Sequence, residues 1–310
     1  MAKRESIISN SNLHINNRHR VSYDFSVLCK SNLPLKKFVF VNTYKNETID
    51  FANPEAVKEL NRSLLFTYYD LHFWEFPNEN LCPPVPGRVD YIHYLADLLK
   101  SSSIKENIKI VDIGTGASCI YPILGHAVYG WNFVATDSDQ NSLDSAAKIL
   151  KKNNLSKQIR LRHQSNSTQI FKGILKPNEK FTATICNPPF YRSQEDAMQA
   201  NARKLKGLGV KNRSEARNFS GKQQELWYNG GEKAFVHTYL YESSMFKTQC
   251  FWYSTLVSKK ENLDSIYSSL EKLEATKIKT IPMQQGNKIT RIVAWTFLDT
   301  EAQKKWNLQT

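Results

Sequence analysis

The 310-residue sequence has no long apolar run, no C-x-x-C cysteine pair and few histidines. Its apolar stretches, such as residues 38–41, fall far short of the roughly 18–20 residues that a membrane-spanning helix needs. Residues 1–10 contain no apolar signal-peptide segment. The five cysteines are odd in number and widely spaced, which predicts reduced thiols in a cytosolic or nuclear protein. The seven histidines form no H-E-x-x-H motif, so we expect no bound metal.

Positive charge, by contrast, is in excess and is concentrated in two segments. Lys and Arg number 42 against 29 Asp and Glu, which gives a net charge of +13. Residues 1–37 hold seven basic residues against two acids, and residues 192–222 hold eight against three. Two basic segments around a nearly neutral body predict arms that grip phosphates, with solvated surface as the alternative. The basic residues expected to contact nucleic acid are Arg18, Arg20, Arg192, Arg203, Lys204, Lys206, Lys211, Arg213 and Arg217.

Strand and helix patterns alternate from residue 108 onward, which predicts an α/β fold with a mostly parallel, doubly wound sheet. Strands are expected at residues 38–41, 108–113, 132–136, 159–163, 181–186, 250–257, 277–282 and 289–297. The last two are expected to form a hairpin and add an antiparallel edge. Helices are expected at residues 88–99, 142–152, 232–246 and 263–273, with others beginning at Asn53 and Pro54 and running through Ile120 and Leu124. Residues 187–230 are expected to be irregular.

A proline-rich stretch, residues 77–87, is predicted to be an irregular connection between two parts of the chain. We expect a small basic N-terminal module at residues 1–76 and the main domain at residues 77–310.

The first motif that carries chemistry is a glycine turn after an apolar strand. Gly114 and Gly116 follow Asp112 in the pattern D-x-G-x-G. Glycines let a backbone pass close to a ligand, and the start of the following helix offers free N–H groups. The third glycine of a nicotinamide-binding fingerprint is replaced by Cys119, so the pattern favours an S-adenosylmethionine (SAM) site over a dinucleotide site.

Asp137 ends the next predicted strand, 21 residues after Gly116. An acid at that position accepts both ribose hydroxyls of a bound nucleoside. A simple helix cap is the alternative.

The sharpest motif is Asn187-Pro188-Pro189-Phe190, which follows an apolar strand. The exocyclic amino group of a base is a poor nucleophile because its lone pair is delocalised into the ring. The Asn187 side-chain oxygen and the Pro188 carbonyl can accept hydrogen bonds from that amino group and expose its lone pair. The prolines fix the direction of the carbonyl, and Phe190 offers a face on which the base stacks. These four residues are the predicted catalytic residues.

These motifs together resemble the amino-group methyltransferases of the Rossmann-like class. Longer stretches resemble one subfamily, the methyltransferase-like protein sixteen family of U6 small nuclear RNA adenine-N6 methyltransferases, whose bacterial relatives act on large-subunit ribosomal RNA. The resembling stretches are residues 84–93, 113–122, 153–156, 230–232 and 252–254.

The resemblance implies a class I SAM-dependent fold and an enzyme that forms N6-methyladenosine, with U6 small nuclear RNA as the expected substrate. It further implies a nuclear location, no metal and a monomer. The residues that it implies for SAM binding are Arg88, Asp112, Gly114, Gly116, Ser118, Asp137, Thr168 and Asn187. It places Arg18 and Arg20 on an RNA-contacting arm. We expect residues 192–222 to be a basic lid, and the target adenine to be unpaired or flipped out. A membrane partner is not expected, because the positive charge of the two basic segments suits RNA.

Two other functions remain open at this point. The same Asn-Pro-Pro-aromatic motif serves ribosomal RNA, DNA adenine and protein glutamine methylation. A non-catalytic RNA-binding protein with a relic methyltransferase fold is the alternative from another class.

Overall fold

The computed structural model describes residues 12–199, 226–285 and 288–307. The helices of this part are α1 (Phe25–Ser31), α2 (Pro54–Tyr68), α3 (Val85–Ser101), α4 (Ile120–Tyr129), α5 (Gln140–Lys152), α6 (Gly231–Met245), α7 (Leu263–Lys272) and α8 (Thr300–Asn307). The strands are β1 (Val39–Val41), β2 (Glu47–Ile49), β3 (Lys109–Ile113), β4 (Asn132–Asp137), β5 (Ile159–His163), β6 (Phe181–Cys186), β7 (Cys250–Val257), β8 (Lys277–Gln285) and β9 (Lys288–Thr296). Single 3-10 turns cover Arg18–Arg20, Leu33–Phe38 and Lys260–Asn262.

Seven strands form one sheet in the order β5-β4-β3-β6-β7-β9-β8. The first five of these are parallel neighbours, and β7-β9-β8 are antiparallel. The predicted α/β class, parallel sheet and antiparallel edge are therefore confirmed. The order turns back at β3, and the carboxyl ends of β3, β4 and β6 lie side by side at this switch point, where ligands of open α/β sheets bind.

The strands β6 and β7 form a short backbone ladder at the start of β6, and a side chain joins them beyond it. The ladder registers Phe181 with Cys250 and Ala183 with Trp252. Beyond it, the Thr184 hydroxyl accepts a hydrogen bond from the backbone N–H of Ser254 at 2.9 Å. A side chain thus replaces a backbone acceptor just before the chain leaves the sheet, close to the predicted catalytic motif.

Helix α2 begins where the sequence predicts. The Asn53 side chain accepts hydrogen bonds from the N–H groups of Glu55 and Ala56, at 3.0 and 3.2 Å, and Pro54 occupies the first turn. These contacts satisfy two of the donors that a helix start leaves without partners.

The predicted irregular connection at residues 77–87 ends three residues too late. Helix α3 starts at Val85, because Pro86 is tolerated in a first turn and the side chain of Asn61 accepts the N–H of Val85 at 2.9 Å. The elements α1, β2 and α8 were also not predicted. Their apolar patterns are short, and contacts with distant parts of the chain stabilise them.

One hydrophobic cluster runs through both ends of the described chain. It joins Phe25 of α1, Trp74, residues of α3 and α4, and Trp306 of α8. Residues before position 77 therefore pack on the same core as the sheet.

Candidate functional site

The glycine loop between β3 and α4 is fastened to the end of β4. The N–H groups of Gly114 and Thr115 both donate to the carbonyl oxygen of Thr136, at 3.0 and 2.8 Å. Gly114 has a φ of +74° and Gly116 a φ of +63°. Side chains rarely tolerate these left-handed conformations, so the glycines are required by the shape of the turn.

Asp137 lies against this loop, as the sequence spacing predicts. Its Oδ2 accepts the N–H of Gly116 at 2.8 Å, and its Oδ1 accepts the N–H of Asp139 at 2.9 Å. Burial raises the pKa of Asp137, and these backbone hydrogen bonds oppose that rise. The structure therefore brings together the loop and the acid that were predicted to hold the ribose.

Asp112 is fully buried in β3, and neither of its carboxyl oxygens has a hydrogen-bond partner. Burial raises the pKa of Asp112 to about 7, and the nearby Thr115 hydroxyl, whose hydrogen bond goes to Cys119, and the positive charge of Arg88 offset only part of that rise. A buried acceptor without a partner is rare in folded proteins. Two such oxygens at the start of the glycine loop point to a ligand that donates hydrogen bonds.

Arg88 projects from the first turns of α3 toward the start of α4. Its Nη1 donates to the hydroxyl of Tyr121 at 2.8 Å, and its guanidinium lies 5.5 Å from the centre of that ring. Within the described ranges no carboxylate forms an ion pair with Arg88. An uncharged partner thus holds the guanidinium in place, and its positive charge is available to bind an anion. Tyr121 belongs to a resembling stretch but was not predicted as a site residue.

The start of α4 is held from outside the sheet by Trp74. The Trp74 Nε1 donates to the carbonyl oxygen of Ser118 at 3.0 Å, and its ring is fully buried. Ser118 itself is buried, and Cys119 adopts a φ of +50° just before the helix. Trp74 was missed because its partner lies 44 residues away.

The Asn187–Phe190 motif leaves the end of β6. The Asn187 Oδ1 is buried and has no hydrogen-bond partner, Pro188 is buried, and Pro189 and Phe190 are half-buried. The sequence predicts that this oxygen accepts a hydrogen bond from the amino group of the target base. Its lack of a protein partner leaves it available for that role.

A later segment supports the motif from the side. The carbonyl oxygen of Leu226 accepts the N–H groups of Phe190 and Tyr191, at 3.1 and 3.0 Å, and the N–H of Tyr228 donates to the Tyr191 carbonyl at 3.0 Å. Between them, Trp227 has a buried Nε1 without a partner. The predicted irregular stretch is wrong at residues 194–199, which form a helical segment, whereas residues 226–228 form only an isolated bridge to Tyr191.

Thr168 lies in the loop after β5, which is tied to the same edge of the sheet. The N–H of Gln164 donates to the Asp137 carbonyl at 2.8 Å, while Thr168 is exposed and bonded to the Asn166 side chain. The buried carboxylate of Glu242 accepts the N–H groups of residues 170–172, at 2.7 to 3.1 Å. This carboxylate therefore anchors the loop that carries Thr168.

The predicted RNA contacts are only partly described. Arg18 is exposed and Arg20 half-buried, in a turn that is fixed by the buried ring between them, since the His19 Nε2 lies 2.8 Å from the Tyr69 hydroxyl. Arg192 is exposed beside the catalytic motif. The other predicted contacts lie outside the described residues: Arg203, Lys204, Lys206, Lys211, Arg213 and Arg217.

All five cysteines are among the described residues, and none is paired. No group of three potential metal ligands occurs in residues 12–199, 226–285 and 288–307. In the same ranges, every helix is too short or too polar to cross a membrane.

Residues 7–299 match a family described as RNA methyltransferase. Ribosomal RNA large subunit methyltransferase F of Pectobacterium carotovorum subsp. carotovorum is 48% identical over 303 residues, which cover 96% of this chain and 97% of that relative. The protein of the same name from Flavobacterium johnsoniae is 48% identical over 313 residues, covering 98% of this chain and 99% of the relative.

Solved structures agree with the predicted fold. The catalytic domain of human METTL16 in complex with hairpin 6 of the MAT2A 3′UTR has a TM-score of 0.77 and 31% identity, covering 93% of this chain and 98% of that one. The N-terminal domain of human METTL16 in complex with SAH has a TM-score of 0.74 and 29% identity, covering 93% and 99%. The predicted fold and enzyme class are confirmed, and the chain belongs to this family of RNA methyltransferases.

Proposed function

We propose that this protein transfers the methyl group of SAM to the N6 amino group of an unpaired adenine in large-subunit ribosomal RNA. The observation that carries the proposal is the buried, unpartnered Oδ1 of Asn187 at the switch point of the sheet. An amino group held there would lie beside the glycine loop and Asp137, on the same edge.

The residues of this edge fit SAM. Asp112 offers two unpartnered acceptors for the ammonium of its methionine part, and Arg88 offers a guanidinium without a carboxylate for the methionine carboxylate. Asp137 would accept the ribose hydroxyls, while Ser118 and Thr168 would line the pocket. A solved relative is described with SAH, the product of SAM after methyl transfer.

The reaction needs orientation more than a strong base, because SAM supplies a methyl group on a sulfonium leaving group. Asn187 Oδ1 and the Pro188 carbonyl accept hydrogen bonds from the two N–H groups of the adenine N6 amino group, and Phe190 stacks on the adenine ring. The N6 lone pair then bonds to the methyl carbon, the carbon–sulfur electron pair stays on sulfur, and the nitrogen releases one proton to water. The products are N6-methyladenine and SAH.

Ribosomal RNA is the substrate that the comparisons favour. Relatives named ribosomal RNA large subunit methyltransferase F are 46–48% identical over nearly the whole of both chains, against 31% for the METTL16 catalytic domain. The expected U6 substrate and nuclear location are not confirmed and stay predictions.

The remaining site assignments are proposals of the same kind. We propose that Arg18, Arg20 and Arg192 contact RNA phosphates, that residues 1–76 act as an RNA-binding module, and that the protein works as a monomer. The basic lid proposed for residues 192–222 lies mostly outside the described residues.

The test is methylation of unmodified transcripts with labelled SAM, followed by mass spectrometry of the digested nucleosides. Large-subunit ribosomal RNA and U6 small nuclear RNA are offered separately and in competition. We expect N6-methyladenosine in the ribosomal transcript. Label confined to U6, or found in a nucleoside other than adenosine, would refute the proposal.

A further inference from the structure

A cavity of about 230 Å³ lies away from the catalytic motif, where the N-terminal arm meets three helices. Its lining residues are Asn16, Arg18, Tyr69, His93, Val128 and Tyr129. They come from the arm, the end of α2, the middle of α3 and the end of α4. Apart from Arg18, which was predicted to bind RNA, the sequence assigns none of them a role.

Three of the lining side chains are rings, and all three are fixed by neighbours, Tyr69 through its bond to His19. The hydroxyl of Tyr129 lies 2.8 Å from His93 Nδ1. One face of the Tyr129 ring stacks on Trp131, with the ring centres 5.1 Å apart and an angle of 18° between the ring planes. Tyr129 is nevertheless 37% exposed. The cavity thus presents a ready-made aromatic wall to solvent.

Arg18 supplies the positive charge of this cavity. It is exposed, and no carboxylate in the described ranges forms an ion pair with it. Burial lowers the pKa of His93 to about 4, and His14 adds to this effect, so the His93 ring is neutral at pH 7. The carboxylate of Asp97, bonded to His14 at 2.8 Å, adds negative charge nearby. One arginine near an acid is a poor site for a bare phosphate but suits a nucleotide, whose base can stack on an aromatic ring while its phosphate contacts the arginine.

We propose that this cavity holds one unpaired nucleobase of the RNA substrate, with the base against the exposed ring of Tyr129 and its phosphate on Arg18. The volume is below the 300–1,000 Å³ typical of sites for drug-sized ligands, and it suits a single base. The proposal rests on RNA being the substrate.

The base in the cavity is not the target adenine. Helix α4 begins beside the glycine loop and ends at the cavity with Tyr129. Ten residues of helix span about 15 Å. The cavity therefore takes a nucleotide that flanks the target adenine. The protein would thus hold the RNA at two nucleotides.

The test is a set of ribosomal RNA fragments in which each nucleotide near the methylated adenine is made abasic in turn. For the wild-type protein, removal of one flanking base should weaken RNA binding by roughly five- to 160-fold, the range for loss of one base–aromatic stack. For Tyr129→Ala, removal of the same base should cost nothing further. Tyr129→Phe keeps the ring and should behave like the wild type.

Controls separate loss of stacking from loss of fold. Tyr241→Ala removes an exposed tyrosine from α6 and should leave the abasic profile unchanged. Arg18→Ala and Asn16→Ala alter exposed side chains, so the fold should survive, and both should weaken RNA binding. SAH affinity should be unchanged in every variant. An abasic profile without a sensitive flanking position, or the same profile in wild type and Tyr129→Ala, overturns the proposal.

A second arm does not depend on methylation. With SAH saturating the cofactor site, AMP, GMP, CMP, UMP and ribose 5-phosphate are titrated while the tyrosine ring resonances are followed by NMR. The nucleotides should shift the Tyr129 signal and ribose 5-phosphate should not. Equal shifts would reveal a phosphate site only and refute the nucleobase. Failure of the methylation assay would leave this result standing.

Discussion

The glycine loop after β3 and the Asn187–Phe190 loop after β6 end at the same edge of the sheet but are held in different ways. The glycine loop is bonded to the strand beside it, through the Thr136 carbonyl and Asp137. The Asn187–Phe190 loop is bonded to residues 226–228, which return to it after a long excursion of the chain. The cofactor side is thus built from neighbouring strands, whereas the side proposed for the target base depends on a distant segment.

The two loops also differ in which polar groups lack partners. On the cofactor side the unpartnered acceptor is a carboxyl, that of Asp112, and on the target side it is the amide oxygen of Asn187. A charged group suits an ammonium and a neutral acceptor suits an amino group that must remain nucleophilic. Substitutions on the two sides should therefore have separable effects.

The largest effect is expected for Asn187→Ala. Loss of one of two acceptors that orient the amino group should lower kcat by roughly 10²–10³-fold, by analogy with loss of one preorganised hydrogen bond in a catalytic site. SAH affinity, measured by calorimetry, should stay near the wild-type value. Asn132→Ala, at the opposite end of β4, is the matched control. Near-normal turnover in Asn187→Ala would contradict the assignment.

On the cofactor side, Asp137→Ala should weaken SAH binding by roughly 10–100-fold, because a hydrogen bond to a charged group is worth about 1.5–3 kcal/mol. RNA affinity should not change. Asp139→Asn, two residues away at the start of α5, keeps the cap and should bind SAH normally. Equal losses in both variants would mean that the loop, and not the Asp137 carboxylate, was disturbed.

Asp112 should make SAH binding depend on pH. Its folded pKa of about 7 means that the carboxylate is protonated as the pH falls from 8 to 6, so SAH affinity should fall over that range. Asp112→Asn should bind SAH more weakly and lose this dependence. A wild-type affinity that does not vary between pH 6 and 8 would argue against an ionised Asp112 in the complex.

The same shift predicts a gain in stability for the ligand-free variant. The folded pKa lies above the unfolded value of about 3.9, so ionised Asp112 destabilises the fold above pH 7, and its cost disappears as the pH falls. Asp112→Asn should therefore raise the melting temperature at pH 8 but not at pH 4. A lower melting temperature at pH 8 would exclude this interpretation.

The smallest effect is expected for Trp74→Phe, which removes the bond to the Ser118 carbonyl. Loss of one hydrogen bond should cost about 1 kcal/mol, seen as a fall of about 2 °C in melting temperature, with slightly weaker SAH binding. Trp252→Phe loses a comparable bond to Ser102 at the far end of α3. Trp252→Phe should lower the melting temperature by the same amount as Trp74→Phe but leave SAH affinity unchanged.

Much of the sheet could be predicted because its central strands are short apolar runs that are buried along most of their length. The bounds of β5, β6 and β7 match the predicted ones, and β6 and β7 are buried at every residue. The start of α3 could not be predicted, since the contact that caps it comes from Asn61, 24 residues earlier. Local patterns reveal strands, but not side chains that arrive from elsewhere.

The same division holds at the site. Asp112, Asp137 and Asn187 stand directly after or within strands, so their place at the sheet edge follows from the motif. Tyr121 and Leu226 contribute through contacts with Arg88 and Phe190 that no spacing encodes. The aromatic cavity was missed for that reason too, because its walls come from four separate elements.

The continuous core that includes Phe25, Trp74 and Trp306 fixes the distance between the two positions proposed to hold RNA bases. Helices α3 and α4 belong to that core and both line the Tyr129 cavity, so their packing sets the span between the cavity and Asn187. An RNA that occupies both positions must match that span with its own backbone. The protein would then select an RNA by the distance between two of its nucleotides as well as by the identity of the target base.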